Sequence, residues 1–176
     1  IWQCIRDVLF TVSSIITTTG YSTADFGKWP LFSQVILLLI MFFGACAGST
    51  AGGLKISRVI MMVKMYVAEI RQMISPNRVI TVKYEDKPLS AKMQKNVAVY
   101  FVVYMILFTT MLLIVSFSLG DFMTAFSAVA ATFNNIGPGL GKVGPAYSFA
   151  DLNNVSKVVL SFGMLAGRLE IFPMLI

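Results

Sequence analysis

Two short polar runs in an otherwise apolar chain carry oxygens that could hold a metal cation: TTTGYST at residues 17–23 and NNIGPGLG at residues 134–141. A dehydrated monovalent cation needs several oxygens at once, and a glycine-bearing turn can aim successive backbone carbonyls at one axis, with threonine hydroxyls beside them. Gly20 permits a backbone conformation that a side chain resists. Gly137 stands in the equivalent place, preceded by Asn134 and Asn135 and stiffened by Pro138. The expected ion-binding set is Thr18, Thr19, Gly20 and Tyr21 in the first run and Asn135, Ile136 and Gly137 in the second, with the carbonyls of Thr19, Gly20, Ile136 and Gly137 as ligands. Taken alone, the first run also reads as an ordinary Thr-Gly turn at a membrane surface.

Two further features bear on the path such an ion would follow. GACAGSTAGGLK at residues 44–55 holds Gly44, Gly48, Gly52 and Gly53, with Ser49 and Thr50 between them. Each glycine weakens a helix by about 1 kcal/mol, so the run predicts a broken helix or a loop, and a loop in a conduction path is a candidate gate. The four-residue spacing of Gly44 and Gly48 equally suits close packing of two helices. Arg168, in GRLEIFP at residues 167–173, is a charge within the last apolar stretch. Such a charge faces a bundle interior or a water-filled cavity, or it snorkels to the surface at the end of its helix.

Enzymatic chemistry finds little support. The chain has no His, which removes the Ser-His-Asp and Cys-His arrangements and imidazole metal sites. Cys4 and Cys46 fit no metal-ligand or redox spacing. A hydrolase using Ser49 with Lys55 as its base would need a buried lysine, and Lys55 heads a basic cluster. The chain is read as a non-enzyme without an organic cofactor.

The elements that must position these residues follow from hydropathy and charge. Of 176 residues, 57% are hydrophobic and 12% charged, with mean hydropathy +0.79, the composition of a membrane protein. No charge lies between Lys28 and Lys55, nor between Lys95 and Asp121; each stretch can cross a hydrocarbon core of about 30 Å as a helix. A third candidate span starts near Asn153. Residues 55–95 hold nine basic against three acidic side chains, which places them in the cytoplasm by the positive-inside rule. Flanking two spans, these charges are not a nucleic-acid patch. The first and third spans then descend, and the second ascends.

Residues 7–18 and 121–133 are apolar but, at about 18 Å of helix, too short to cross. Each opens on an Asp, a good N-cap, and each runs into one of the two polar turns. Short helix, glycine turn, connector and descending span occur twice, a weak internal repeat. Irregular backbone at membrane depth is tolerated where it is buried in protein or lines a water-filled cavity. Two such turns point to a pore. A chain that opens without Met and stops within an apolar run reads as a piece of a longer polypeptide.

TTTGYSTADF, GACAGSTAGGLKISR, NNIGPGLGKVGP and MLAGRLEIFPML, joined by a basic connector containing VITVKYEDKPLS, resemble the TrkH family, the membrane subunits of bacterial Trk potassium uptake systems in the Trk/Ktr/HKT superfamily. The resemblance covers the whole chain. It implies an all-α membrane protein in which repeated helix, pore-helix and helix units, with re-entrant pore helices, surround a central ion pore. On this basis residues 1–57 are a third repeat without its first helix, residues 58–91 a basic cytoplasmic connector, and residues 92–176 a complete fourth repeat. The resemblance also implies that Gly20 and Gly137 are filter glycines, that residues 44–53 form an intramembrane gating loop, and that Arg168 projects into the pathway below the filter. The implied function is potassium uptake across the bacterial inner (plasma) membrane, with K+ as the transported ion. Implied partners are the upstream repeats of the same polypeptide, a second copy in a homodimer, a cytosolic TrkA-like nucleotide-binding regulatory subunit, and membrane lipid. A non-conducting structural membrane subunit is the alternative.

Overall fold

The computed structural model describes residues 2–44, 52–75, 81–84 and 87–169. Helix α1 (Trp2–Ile16) leads through a 3-10 turn at Phe26–Lys28 to α2 (Leu31–Phe42) and the two-residue strand β1 (Phe43–Gly44). Strand β2 (Leu54–Lys55) then opens α3 (Ile56–Ile74), and a small hairpin of β3 (Lys83–Tyr84) and β4 (Lys87–Pro88) precedes α4 (Ala91–Ser118). Helices α5 (Phe122–Phe133) and α6 (Asn154–Arg168) complete the described chain. The fold is the all-helical membrane fold expected from the sequence.

Among the described residues, α4 is the one helix long and apolar enough to cross a membrane by itself. Its 28 residues rise about 42 Å, and the Ser90 side chain caps its start by accepting from the Met93 N–H. Val97, Tyr100, Tyr104, Phe108, Met111 and Val115 recur every three or four residues and are buried, a stripe that turns one face of α4 to the core. That core is α5, whose residues 127–133 are all buried. Its many small side chains let both neighbours approach. On α6, Gly163 and Gly167 supply the closest approach: a Cβ on Gly163 would run into Met111 Cε, and one on Gly167 into the carbonyl oxygen of Phe133. This is small-residue packing of two helices, at a position the sequence reading did not single out.

A second core joins the two halves of the chain. Ile15 of α1, Phe26, and Leu37, Leu38 and Met41 of α2 pack with Ile136 and Leu140, which follow α5.

One expectation is corrected. Asp7 does not cap the first short helix, because α1 begins at Trp2 and nothing in residues 2–6 stops a helix. Asp7 instead makes a surface pair with Arg6 at 3.3 Å. Asp121 does cap α5, its carboxylate accepting from the Met123 and Thr124 N–H groups. Within the apolar stretch of residues 29–54, where the glycines predict a broken helix or a loop, α2 ends at Phe42, about 18 Å from its start.

Candidate functional site

The two polar turns are built alike. After α1, Thr18 N–H donates to Ile15 O (3.1 Å) and Thr19 N–H to Ser14 O (2.9 Å); after α5, Asn135 N–H donates to Thr132 O (3.1 Å) and Ile136 N–H to Ala131 O (2.8 Å). This interlocked pair is the Schellman ending of a helix, which requires a left-handed residue just beyond the cap. Thr18 (φ 53°) and Asn135 (φ 56°) fill that place, and two residues later Gly20 (φ 79°) and Gly137 (φ 111°) are again at positive φ. Asn enters the left-handed region readily. A β-branched Thr does so only under constraint, at about 1–3 kcal/mol, and such a cost is the kind found at functional sites. Thr18 and Asn135 stand among the expected ion-binding residues, but the sequence did not foretell their left-handed backbone.

The turns also touch. A Cβ on Gly20 would collide with the carbonyl oxygen of Ile136 and stand 3.5 Å from Pro138 Cδ, and one on Gly137 would lie 3.8 Å from Gly20 Cα. Gly20 is therefore required twice, by its φ and by the carbonyl beside it. Of the remaining residues in the first turn, Thr19 shares a 2.6 Å hydroxyl hydrogen bond with Thr17, and Tyr21 is exposed. Thr17, Thr19 and Tyr21 line an open cavity of about 260 Å³ with Phe10, Ser13 and Ser14 of α1.

The second turn is held from several sides. Leu140 N–H donates to Ser127 Oγ at 2.9 Å, and Lys142 N–H to Thr124 Oγ1 at 3.3 Å, which pins the outgoing chain along α5. Thr124 also donates its hydroxyl hydrogen to Asp121. That bond, helped by the Thr124 and Met123 N–H groups and by nearby Lys142, holds the Asp121 carboxyl below the usual carboxylate range. Asn135 Nδ2 donates to Met164 O of α6 at 3.1 Å.

Asn134 lies fully buried beneath this turn. Its Oδ1 accepts from Tyr104 Oη at 2.8 Å, and its Nδ2 donates to Ala130 O at 2.9 Å. The returning end of the glycine-rich run presses against the same residue: a Cβ on Gly53 (φ 83°) would sit 2.5 Å from Asn134 Oδ1, and one on Gly52 would sit 2.7 Å from Asn135 Nδ2. Neither Tyr104 nor Asn134 stood among the expected site residues. A phenol in an apolar helix does signal a need for a polar partner, but not which partner.

The flanks of the glycine-rich run pair in parallel, Phe43 opposite Leu54 and Gly44 opposite Lys55. An unbroken helix would hold Phe43 and Leu54 about 16 Å apart. The chain is therefore interrupted between α2 and α3, and Gly44, Gly52 and Gly53 belong to the described flanks of that interruption. Gly48, Ser49 and Thr50 lie outside the described residues. Arg168 is the exposed last residue of α6, directly after Gly167, which packs against the Phe133 carbonyl just before the second turn; Glu170 lies outside the described residues.

Residues 3–176 match the TrkH family, described as a cation transport protein. The chain belongs to the TrkH family. It is similar to the Trk system potassium uptake protein TrkH of Vibrio parahaemolyticus, with 43% identity over 175 residues, covering 99% of this chain and 36% of that protein. It is also similar to TrkH of Escherichia coli K12, with 40% identity over 173 residues, covering 98% of this chain and 35% of that protein. Among solved structures, the crystal structure of the potassium transporter TrkH from Vibrio parahaemolyticus matches with a TM-score of 0.88 and 41% identity, over 99% of this chain and 37% of the other. This chain thus spans a little over a third of the length of the TrkH proteins it matches. Those relatives are named as potassium uptake proteins, not as enzymes.

Proposed function

We propose that this chain supplies two of the ion-coordinating turns of a TrkH-type potassium uptake protein in the bacterial inner membrane. The observation that carries the reading is the contact of Gly20 with the Ile136 carbonyl, between two helix ends of the same backbone geometry. In this reading the carbonyls of Thr19, Gly20, Ile136 and Gly137 hold K+, and Thr18, Tyr21 and Asn135 shape the turns that present them. Helices α1 and α5 direct their C-terminal, negative dipole ends towards the ion. Residues 44–53, with Gly48, Ser49 and Thr50, form the gate below, and Arg168 lies farther along the path. Residues 1–57 and 92–176 are two pore repeats, and residues 58–91 the connector on the cytoplasmic side. Upstream repeats of the same polypeptide complete the ring, and a second copy and a TrkA-like nucleotide-binding subunit complete the assembly.

The test is Gly20→Ser in the complete polypeptide, reconstituted in liposomes. A side chain at φ 79° against the Ile136 carbonyl must displace that oxygen, so potassium-over-sodium preference falls while the protein still reaches the membrane. Unchanged preference in a normally inserted protein would overturn the assignment, and flux of neither ion in parent protein would favour a structural subunit.

A further inference from the structure

Helix α3 and the hairpin after it enclose a second polar feature, far from the turns. A cavity of about 290 Å³ is lined by Lys64 and Arg71 of α3 and Lys83 of β3, together with Val63, Val67 and Val82. Lys64 Nζ donates to the Lys83 carbonyl at 3.1 Å and stands 5.9 Å from the centre of the Tyr84 ring. Those contacts fix the ammonium at the mouth of the cavity with further N–H donors to spare. Among the described residues no carboxylate pairs with Lys64, Arg71 or Lys83. Three cations lining one apolar-walled cavity concentrate positive charge there, with no counter-ion among the described residues.

The depth of the cavity identifies what supplies that counter-ion. Helix α3 runs antiparallel to the start of α4: the Arg58 guanidinium lies 4.2 Å from the centre of the Tyr100 ring, and Met61 and Met62 pack with Val97 and Leu89. Lys95 is the last charge before the long uncharged stretch of α4, so the hydrocarbon boundary falls level with Met61 and Met62. Lys64 is one helical turn beyond that boundary. Arg71 is about 14 Å beyond it along the axis, but a helical side chain leans towards the N-terminus of its helix, here back towards the membrane. The three cations therefore converge on the headgroup layer. Ile56, Ile60, Val63 and Val67 continue from the cavity towards the hydrocarbon as one exposed apolar face, at helical spacing.

We propose that this cavity binds the phosphate of an anionic membrane phospholipid between Lys64, Arg71 and Lys83, with an acyl chain lying along the Ile56, Ile60 and Val63 face. A phosphate offers several acceptor oxygens to the planar guanidinium and the two ammonium groups. The apolar face suits the amphiphile and gives a free phosphate nothing. The proposal uses the cytoplasmic orientation of residues 55–95 and is independent of the filter assignment.

The experiment is native mass spectrometry of the complete polypeptide in detergent, titrated with phosphatidylglycerol or with phosphatidylcholine. Phosphatidylglycerol is retained in preference, and Lys64→Gln with Arg71→Gln and Lys83→Gln weakens that retention on the order of a hundredfold, roughly fivefold for each charge removed. Arg71→Gln alone, at an exposed side chain, provides the fivefold step should the triple variant not fold. Lys142→Gln, at the opposite end of the molecule, retains the lipid as the parent does. Equal retention of the two lipids, or no change in the Arg71→Gln protein, overturns the proposal. Displacement of the lipid by millimolar inorganic phosphate alone makes the cavity a soluble-anion site and also overturns it. So does unchanged lipid retention in variants that have lost capture of the cytosolic regulatory subunit, which would make it a protein-docking surface.

Discussion

Tyr104 and Asn134 share a fully buried hydrogen bond of 2.8 Å between the middle of α4 and the end of α5. Asn134 also meets Gly53, so one side chain touches the spanning helix, the second turn and the returning flank of the glycine-rich run. Removing the phenolic hydroxyl leaves Asn134 Oδ1 buried without that donor, at a cost of about 1–3 kcal/mol. Tyr104→Phe is expected to lower the thermal unfolding temperature in detergent while leaving ion preference near that of the parent. A double-mutant cycle with Asn134→Leu checks the origin of the loss: the two effects must be clearly less than additive. Full additivity would show that the bond contributes nothing.

Gly53 and Gly120 offer a controlled pair. At Gly53 both the positive φ and the Asn134 side chain oppose a methyl group, whereas at Gly120 nothing lies within 4 Å. Gly53→Ala is expected to destabilise by about 1–3 kcal/mol and Gly120→Ala by less than about 0.5 kcal/mol. Chemical unfolding of the two variants measures both, and equal values would refute the close approach of residues 52–53 to Asn134.

Arg168 tests the proposed path. A fixed positive charge about 6 Å from a permeating cation, at an effective dielectric of about 20, repels it by about 3 kcal/mol before screening. Even about 1.4 kcal/mol of this is a factor of roughly ten in rate where that barrier limits passage. Arg168→Ala in the complete protein should raise cation flux, and Arg168→Lys should stay near the parent. If neither substitution alters flux, Arg168 stands outside the path.

Asp121 sets an acid limit. Its carboxyl titrates below the ordinary carboxylate value, chiefly because Thr124 donates to it. A folded-state value lower than the unfolded one, near 3.9, contributes stability that is fully present above the unfolded value and is lost as pH falls through the folded one. Unfolding temperature should therefore drop on acidification below about pH 4 in the parent and less steeply in Asp121→Asn. Parallel acid profiles would exclude this carboxylate as a source.

How much of this was legible beforehand depended on the range of each interaction. The two glycine turns and the Asp121 cap are local, set by residues within a few positions of one another, and the sequence displays them directly. Asp7 misled because an Asp suits both the N-cap and the exposed face of a helix that has already begun. The interruption of residues 44–53 was visible in the number of glycines, but the parallel return of Leu54 beside Phe43 was not. Tyr104 and Asn134 lie thirty residues apart, and only the packing of α4 on α5 brings the phenol and the amide oxygen together.

The enclosure of α5 orders the assembly of the molecule in time. Its twelve residues are too few to hold a place across a bilayer, and its walls come from α4, which is synthesised before it, and from α6, which is synthesised after it. Until Gly167 of α6 closes over the Phe133 carbonyl, the end of α5 and the turn that follows lack their enclosing partner, and polar backbone at that depth is costly without one. Helices α5 and α6 must therefore enter together as a hairpin, with α4 waiting as the template. The second turn takes its final shape only when the last described helix has left the ribosome.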